Sequence, residues 1–149
     1  MSVITERHLF GWSQEERLLK YFNKHLGESF ERTKKRYDSL DGLGAVAVYE
    51  LKSRPKTRWN RFTRTQVPVD SKSYPDGWLM PCCKMENLPA GKKLYFFYYY
   101  EGDDTLWVCP YEEAKFSELN PFYPSYNPTQ KHILIPVEWW SQVDCYRAE

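Results

Sequence analysis

Three residues set out the chemistry this chain is equipped to do. Glu50 and Lys52 stand two apart in the stretch Ala-Val-Ala-Val-Tyr-Glu-Leu-Lys at 45–52, and Asp41 precedes Glu50 by nine positions across Gly42-Leu43-Gly44. In a β-strand, residues two apart project from the same face. A carboxylate and an ammonium therefore lie side by side at the end of an apolar run. The glycine-containing turn allows a hairpin to return Asp41 beside Glu50, so that two carboxylates and a lysine converge. Such a trio suits hydrolysis of a phosphodiester bond. Mg2+ takes oxygen ligands and is commonly held by one or two carboxylates, with water and substrate phosphate completing its shell. Asp41 and Glu50 would supply the carboxylates for Mg2+ or Mn2+, and the Leu51 backbone carbonyl is available between the two side chains. Lys52 would orient the attacking water or stabilise developing charge. The competing reading makes Glu50 and Lys52 a strand-end ion pair at the surface, worth little and without chemistry.

The elements that must position these groups are legible to different degrees. Ser13-Gln14-Glu15-Glu16 has the pattern of a capping box, which predicts a helix from Ser13 to about Leu26, before Gly27, with residues 1–12 free to serve as an N-terminal arm. Leu18, Leu19, Phe22 and Leu26 form its apolar stripe. Glu15 lies on that stripe too, either as a carboxylate with work to do or as an edge residue favoured by the helix dipole. Residues 45–52 read as a central strand, buried on both faces at its start. Residues 53–74, with Pro55 and Pro68, show no sustained period and read as a long connection. Residues 76–88 read as a short helix begun or interrupted by Pro81. The clearest hairpin joins 93–100 to 105–109 through Glu-Gly-Asp-Asp. A brief helix at 112–119, an irregular stretch at 120–130 and a last strand at 131–137, ended by Pro136, complete the order. It predicts an α/β or α+β sheet with helices packed on it.

These residues resemble the PD-(D/E)xK nucleases, which have the restriction-endonuclease-like fold. Asp41 followed by Glu50-Leu51-Lys52 on a strand, behind a first helix bearing Glu15, carries the resemblance. The chain looks closest to the small nuclease-like proteins of large DNA viruses, through Thr33-Lys-Lys-Arg-Tyr-Asp-Ser-Leu-Asp41 and Glu50-Leu-Lys-Ser-Arg54. Weaker similarity extends to Tyr74-Pro75, Lys84 and Ile135-Pro136. The resemblance implies a single nuclease-like domain over 1–149, an α/β mixed central sheet flanked by helices, and a Mg2+- or Mn2+-dependent endonuclease of viral or phage origin. It adds Glu15 to Asp41, Glu50 and Lys52 as a first-helix carboxylate ordering the metal or its waters. Asp38 competes with Asp41 for the ligand position. The same fold without catalysis, as a nucleic-acid-binding or virion-associated protein, is the alternative.

Charge and composition narrow the partner. The chain has 149 residues, 21 Lys and Arg against 20 Asp and Glu, and 17% aromatic residues, so it folds as one domain with no whole-molecule field. The cations are concentrated instead. Lys52, Arg54, Lys56, Arg58, Arg61 and Arg64 fall in 13 residues, with no acid between Glu50 and Asp70. Trp59 and Phe62 are interleaved, a combination suited to phosphate contacts plus stacking on an unpaired base, unless both rings tuck into the core. Arg54, Lys56, Arg58, Arg61 and Arg64 are thus the expected contacts to DNA, joined by Lys84 on the strength of the resemblance, with RNA as an alternative polymer. Many nucleases of this fold pair subunits, and a homodimer is open on that ground. Cys82, Cys83, Cys109 and Cys145 lack the C-x-x-C spacing of a zinc site. With no long apolar run, they predict an intracellular protein of a reducing compartment and no membrane partner.

Overall fold

Two apolar runs, one ending in Glu50-Leu51-Lys52 and one rich in tyrosine and phenylalanine, become adjacent strands at the centre of a mixed sheet. The structure, a computed structural model, describes residues 6–32, 41–44, 46–86, 88–125 and 127–146. In chain order these form α1 (Glu6–Leu26), β1 (Glu31–Arg32), β2 (Gly42–Leu43), β3 (Ala47–Arg54), β4 (Thr57–Asn60), β5 (Thr65–Pro68), β6 (Trp78–Pro81), α2 (Cys83–Glu86), β7 (Lys93–Tyr100), β8 (Thr105–Pro110), α3 (Glu113–Phe116), β9 (His132–Ile135) and β10 (Ser141–Gln142). The described residues thus make a mixed α/β protein with three α-helices and a six-stranded sheet in the order β1-β2-β3-β7-β8-β10. Only β3 and β7 run parallel, from Ala47 opposite Lys93 to Arg54 opposite Tyr100. The other pairs in this sheet are antiparallel.

Alternation along β3 and β7 divides the interior into two cores. Tyr49, Leu51, Phe97 and Tyr99 face Leu18 and Phe22 of α1. The Phe22 and Phe97 rings stack with centroids 4.0 Å apart. Val48, Phe96, Tyr98 and Tyr100 face the other way, onto Trp78, Met80, Ile133 and Ile135 of the small antiparallel sheet β6–β9. The aromatic strand β7 is therefore core on both of its faces. Glu50 and Lys52 continue the Val48 face, so they look toward β6 and α2 rather than toward α1.

Several expectations are corrected. The first helix begins at Glu6, not Ser13, so residues 6–12 are no arm and Ser13 lies inside the helix as an exposed residue. Phe10 extends the packed face by a further turn, and the single Gly11 costs only about 1 kcal/mol, too little to stop propagation. Helix α1 does end at Leu26, with Gly27 in the left-handed conformation at φ 63°. Residues 53–74 are not an unstructured connection, because β4 and β5 pair as a hairpin there. That pairing has no alternating apolar face to reveal it, since nearly all its residues are exposed. The stretch 76–88 opens as strand β6 and becomes helical only after Pro81. Val46, expected on the buried face, is 62% exposed and precedes the strand. Strand β9 pairs with β6 instead of joining the main sheet, and β10 caps the β8 edge. Lys34, Lys35, Arg36 and Asp38 lie outside the described residues. No described helix is long and apolar enough to cross a membrane.

Candidate functional site

The local order α1, then β2 returning antiparallel onto β3, fixes the carboxylates. Gly42 pairs with Tyr49 and Leu43 with Val48, and continuing that register sets Asp41 opposite Glu50. Gly42 is needed for this approach. A Cβ there would lie 1.9 Å from the Tyr49 ring, so only glycine lets β2 cross it. Beyond β2 the edge of β3 is finished by a side chain: the Leu51 N–H donates to Asp41 Oδ2 at 2.8 Å, just after Asp41 N–H donates to the Tyr49 carbonyl at 3.1 Å. Within a strand the N–H and C=O of one residue point to the same side, so the Leu51 carbonyl also looks toward the Asp41 edge.

Glu50 is the buried centre of the group, 2% exposed. Its Oε2 receives Lys84 Nζ at 3.1 Å and Lys52 Nζ at 3.7 Å. Its Oε1 is buried and accepts no hydrogen bond from any described residue. Burial first, and then the charge of Asp41, push the Glu50 carboxyl up to about 8 against the pull of the two lysines. Lys84 shows the reverse balance: burial would lower it, but the Glu50 and Asp41 carboxylates outweigh that and raise it. Of the two ammonium groups, Lys84 is closer to Glu50 and less exposed, 17% against 30% for Lys52.

Glu15 approaches from the opposite face of the sheet. It is 6% exposed, accepts a 2.9 Å hydrogen bond from the Tyr49 hydroxyl and pairs with Arg32 Nε at 3.3 Å. Burial and the nearby Asp41 charge raise its carboxyl to about 7. Asp41, at the sheet edge, is thus the electrostatic link between Glu15 and Glu50. Glu15 is brought to the flank of Asp41, with Tyr49 and Arg32 as its direct partners.

Among the described residues no group of three or more His, Cys, Asp or Glu side chains is spaced to enclose a metal ion. Mg2+ asks for less, one or two carboxylates with water and phosphate oxygens. Asp41, Glu50 with its unpaired buried Oε1, and the Leu51 carbonyl meet that requirement with hard oxygen donors.

The expected nucleic-acid contacts divide into two sets. Lys56, Arg58, Arg61 and Arg64 are exposed on or beside the β4–β5 hairpin, as are Trp59 and Phe62. Arg54 is turned inward, its Nη2 donating to the Tyr98 hydroxyl at 3.0 Å, while that hydroxyl donates to the Leu79 carbonyl. Lys84 belongs to the carboxylate cluster rather than to an outer surface. Sequence reasoning missed this placement, as well as Tyr49 and Arg32 as partners of Glu15. Lys84 lies 34 positions beyond Glu50 in a stretch with weak periodicity, and only the folding of β6 and α2 against the Val48 face reveals it. For Tyr49 a signal existed, since a tyrosine amid valines on a strand next to Gly42 announces a hydroxyl that needs a partner. No family model, curated protein or solved structure matches the chain.

Proposed function

We propose that this chain is a metal-dependent deoxyribonuclease that hydrolyses DNA phosphodiester bonds at Asp41, Glu50 and Lys52, on a restriction-endonuclease-like mixed sheet. The observation that carries this reading is Glu50: a carboxylate 2% exposed, ringed by Asp41, Lys52 and Lys84, with one oxygen left without a donor. A purely structural ion pair gains little by gathering a second carboxylate beside a buried one, because like charges there are costly. Such crowding is what a cation-binding site requires.

Asp41 and Glu50 would hold Mg2+ or Mn2+, with the Leu51 carbonyl beside them. The bound ion would lower the pKa of a water ligand and neutralise phosphate charge. Lys84, short of solvent, orients Glu50 and favours its ionised form against burial, a balance that a bound cation would complete. Lys52, more exposed, would orient the attacking water or hydrogen-bond a non-bridging phosphate oxygen, stabilising the charge that builds as water adds to phosphorus, releases its proton to solvent and displaces the ester oxygen. Glu15 acts one step out, through Asp41.

The test is cleavage of supercoiled plasmid and of single-stranded DNA with Mg2+, Mn2+ or chelator. Metal-dependent cutting by the wild type, lost in Glu50→Ala and Lys52→Ala, is the expected result. Cutting that survives Lys52→Ala, or that is indifferent to chelator, overturns the mechanism.

A further inference from the structure

Hairpin β4–β5 does something its sequence did not decide: it holds its aromatics out in water. Phe62, at the tip, is 87% exposed and Trp59, on β4, is 57% exposed. The backbone that carries them is tied at both ends of the hairpin. Asn60 Oδ1 accepts the N–H groups of Phe62 at 2.9 Å and Thr63 at 3.2 Å, and Arg64 N–H closes the turn onto the Asn60 carbonyl at 2.7 Å. The base is tied as well, by Val69 N–H donating to the Lys56 carbonyl at 2.9 Å. The tip is therefore a preorganised structure that presents an apolar ring.

Its surroundings are cationic. The Arg61 guanidinium lies over the Phe62 ring, 5.5 Å from its centroid. Arg64 adopts φ 55°, a left-handed conformation where glycine would be free of strain, yet an arginine occupies it. Among the described residues Arg58, Arg61 and Arg64 have no ion-pair partner, and no acid occurs between Glu50 and Asp70. Rings flanked by unpaired guanidinium groups complement a polymer that offers flat apolar faces and regular negative charge together. Unpaired nucleotides do so, whereas an intact duplex hides its base faces in the stack. The hairpin also follows directly on β3, the strand that carries Glu50 and Lys52.

We propose that the β4–β5 hairpin is a stacking site for unpaired nucleotides, which directs the chain to single-stranded, gapped or forked DNA rather than to intact duplex. The proposal rests on the nuclease reading for its choice of polymer, but its test does not use cleavage. The full-length chain in EDTA is titrated into fluorescently labelled single strand, blunt duplex and fork of matched length, the fork carrying 2-aminopurine at its first unpaired position. The wild type should bind strand and fork at least about tenfold more tightly than duplex and change the 2-aminopurine emission. Phe62→Ala and Trp59→Ala should each lose about tenfold on strand and fork with less than twofold change on duplex, and Phe62→Tyr should restore both affinity and emission change. Because Phe62 is so exposed, its variants should keep the wild-type melting temperature, which serves as the folding control.

Equal affinity for fork and duplex, or Phe62→Ala binding like the wild type, overturns the proposal. So does a hairpin that binds vesicles of anionic phospholipid while ignoring all three DNAs, since the same rings and cations also suit a bilayer surface. Failure of the nuclease reading looks different: no cutting of any DNA while fork binding still depends on Phe62.

Discussion

Glu50 should make the free protein less stable as the solution becomes more alkaline. Its carboxyl rises from 4.5 in the unfolded chain to about 8 in the folded one, through burial first and Asp41 second. Between those values the folded chain holds a proton that the unfolded chain has released, so stability falls as pH rises through the window and levels off above it. At about 1.36 kcal/mol per pH unit, the full span is worth at most about 5 kcal/mol. Relaxation and water entry around the new carboxylate reduce the expected loss to about 2–4 kcal/mol. Urea unfolding, followed by tryptophan fluorescence at pH 5, 6.5, 8 and 9, measures it for the wild type beside Glu50→Gln. The variant's absolute stability depends on what Lys84 and Lys52 do without their partner, but its pH slope does not contain the Glu50 titration. The gap between the two proteins should therefore move by about 2–4 kcal/mol in the variant's favour between pH 5 and pH 9. Added Mg2+ should recover stability for the wild type at pH 8 and do nothing at pH 5, where the site still holds its proton. A gap independent of pH would refute the reasoning, because Glu50 would then titrate as an ordinary exposed carboxyl.

Three further outcomes follow from the same geometry. Lys84→Met removes the closer ammonium from Glu50 and should cost about 1–3 kcal/mol at pH 8 by chemical denaturation, with a smaller cost at pH 5, where Glu50 is neutral. Gly42→Ala drives a methyl into the Tyr49 ring and should cost about 1–3 kcal/mol in unfolding experiments; displacing Asp41, it should also remove metal-dependent cutting even in protein that remains folded. Tyr49→Phe strips Glu15 of its hydroxyl donor, costing about 1–2 kcal/mol and pushing the Glu15 carboxyl higher still, which a side-chain NMR titration reads directly.

What was legible in the sequence followed the physics of each signal. The β7–β8 hairpin and the inward stripe of α1 stood out because a long apolar period and a Gly-Asp-Asp turn have few alternatives. The meeting of Asp41 with Glu50 was legible too, being a local event that depends on nine residues and two glycines. Lys84 was not, because its place depends on β6 and α2 folding back from far along the chain. The start of α1 was misread for a different reason: a good capping sequence at Ser13 is compatible with a helix interior when Phe10 offers packing one turn earlier. The β4–β5 hairpin escaped notice because it buries almost nothing, and burial is what makes a strand visible in sequence.

The parallel pairing of β3 with β7 has a consequence for how the chain reaches this state. Parallel neighbours need a long crossover, here from Arg54 to Lys93, so β3 waits with one edge open until that loop closes. An apolar strand with a free edge is an invitation to pair with another chain. The strand ends in Arg54, and the next ten residues hold Pro55, Lys56, Arg58, Arg61 and Arg64 and no acid. Charge and proline placed next to a sticky strand act as gatekeepers against aggregation during synthesis. The cationic segment proposed above to hold nucleic acid is thus also placed where it would guard the half-built sheet, and both roles would ask for the same residues.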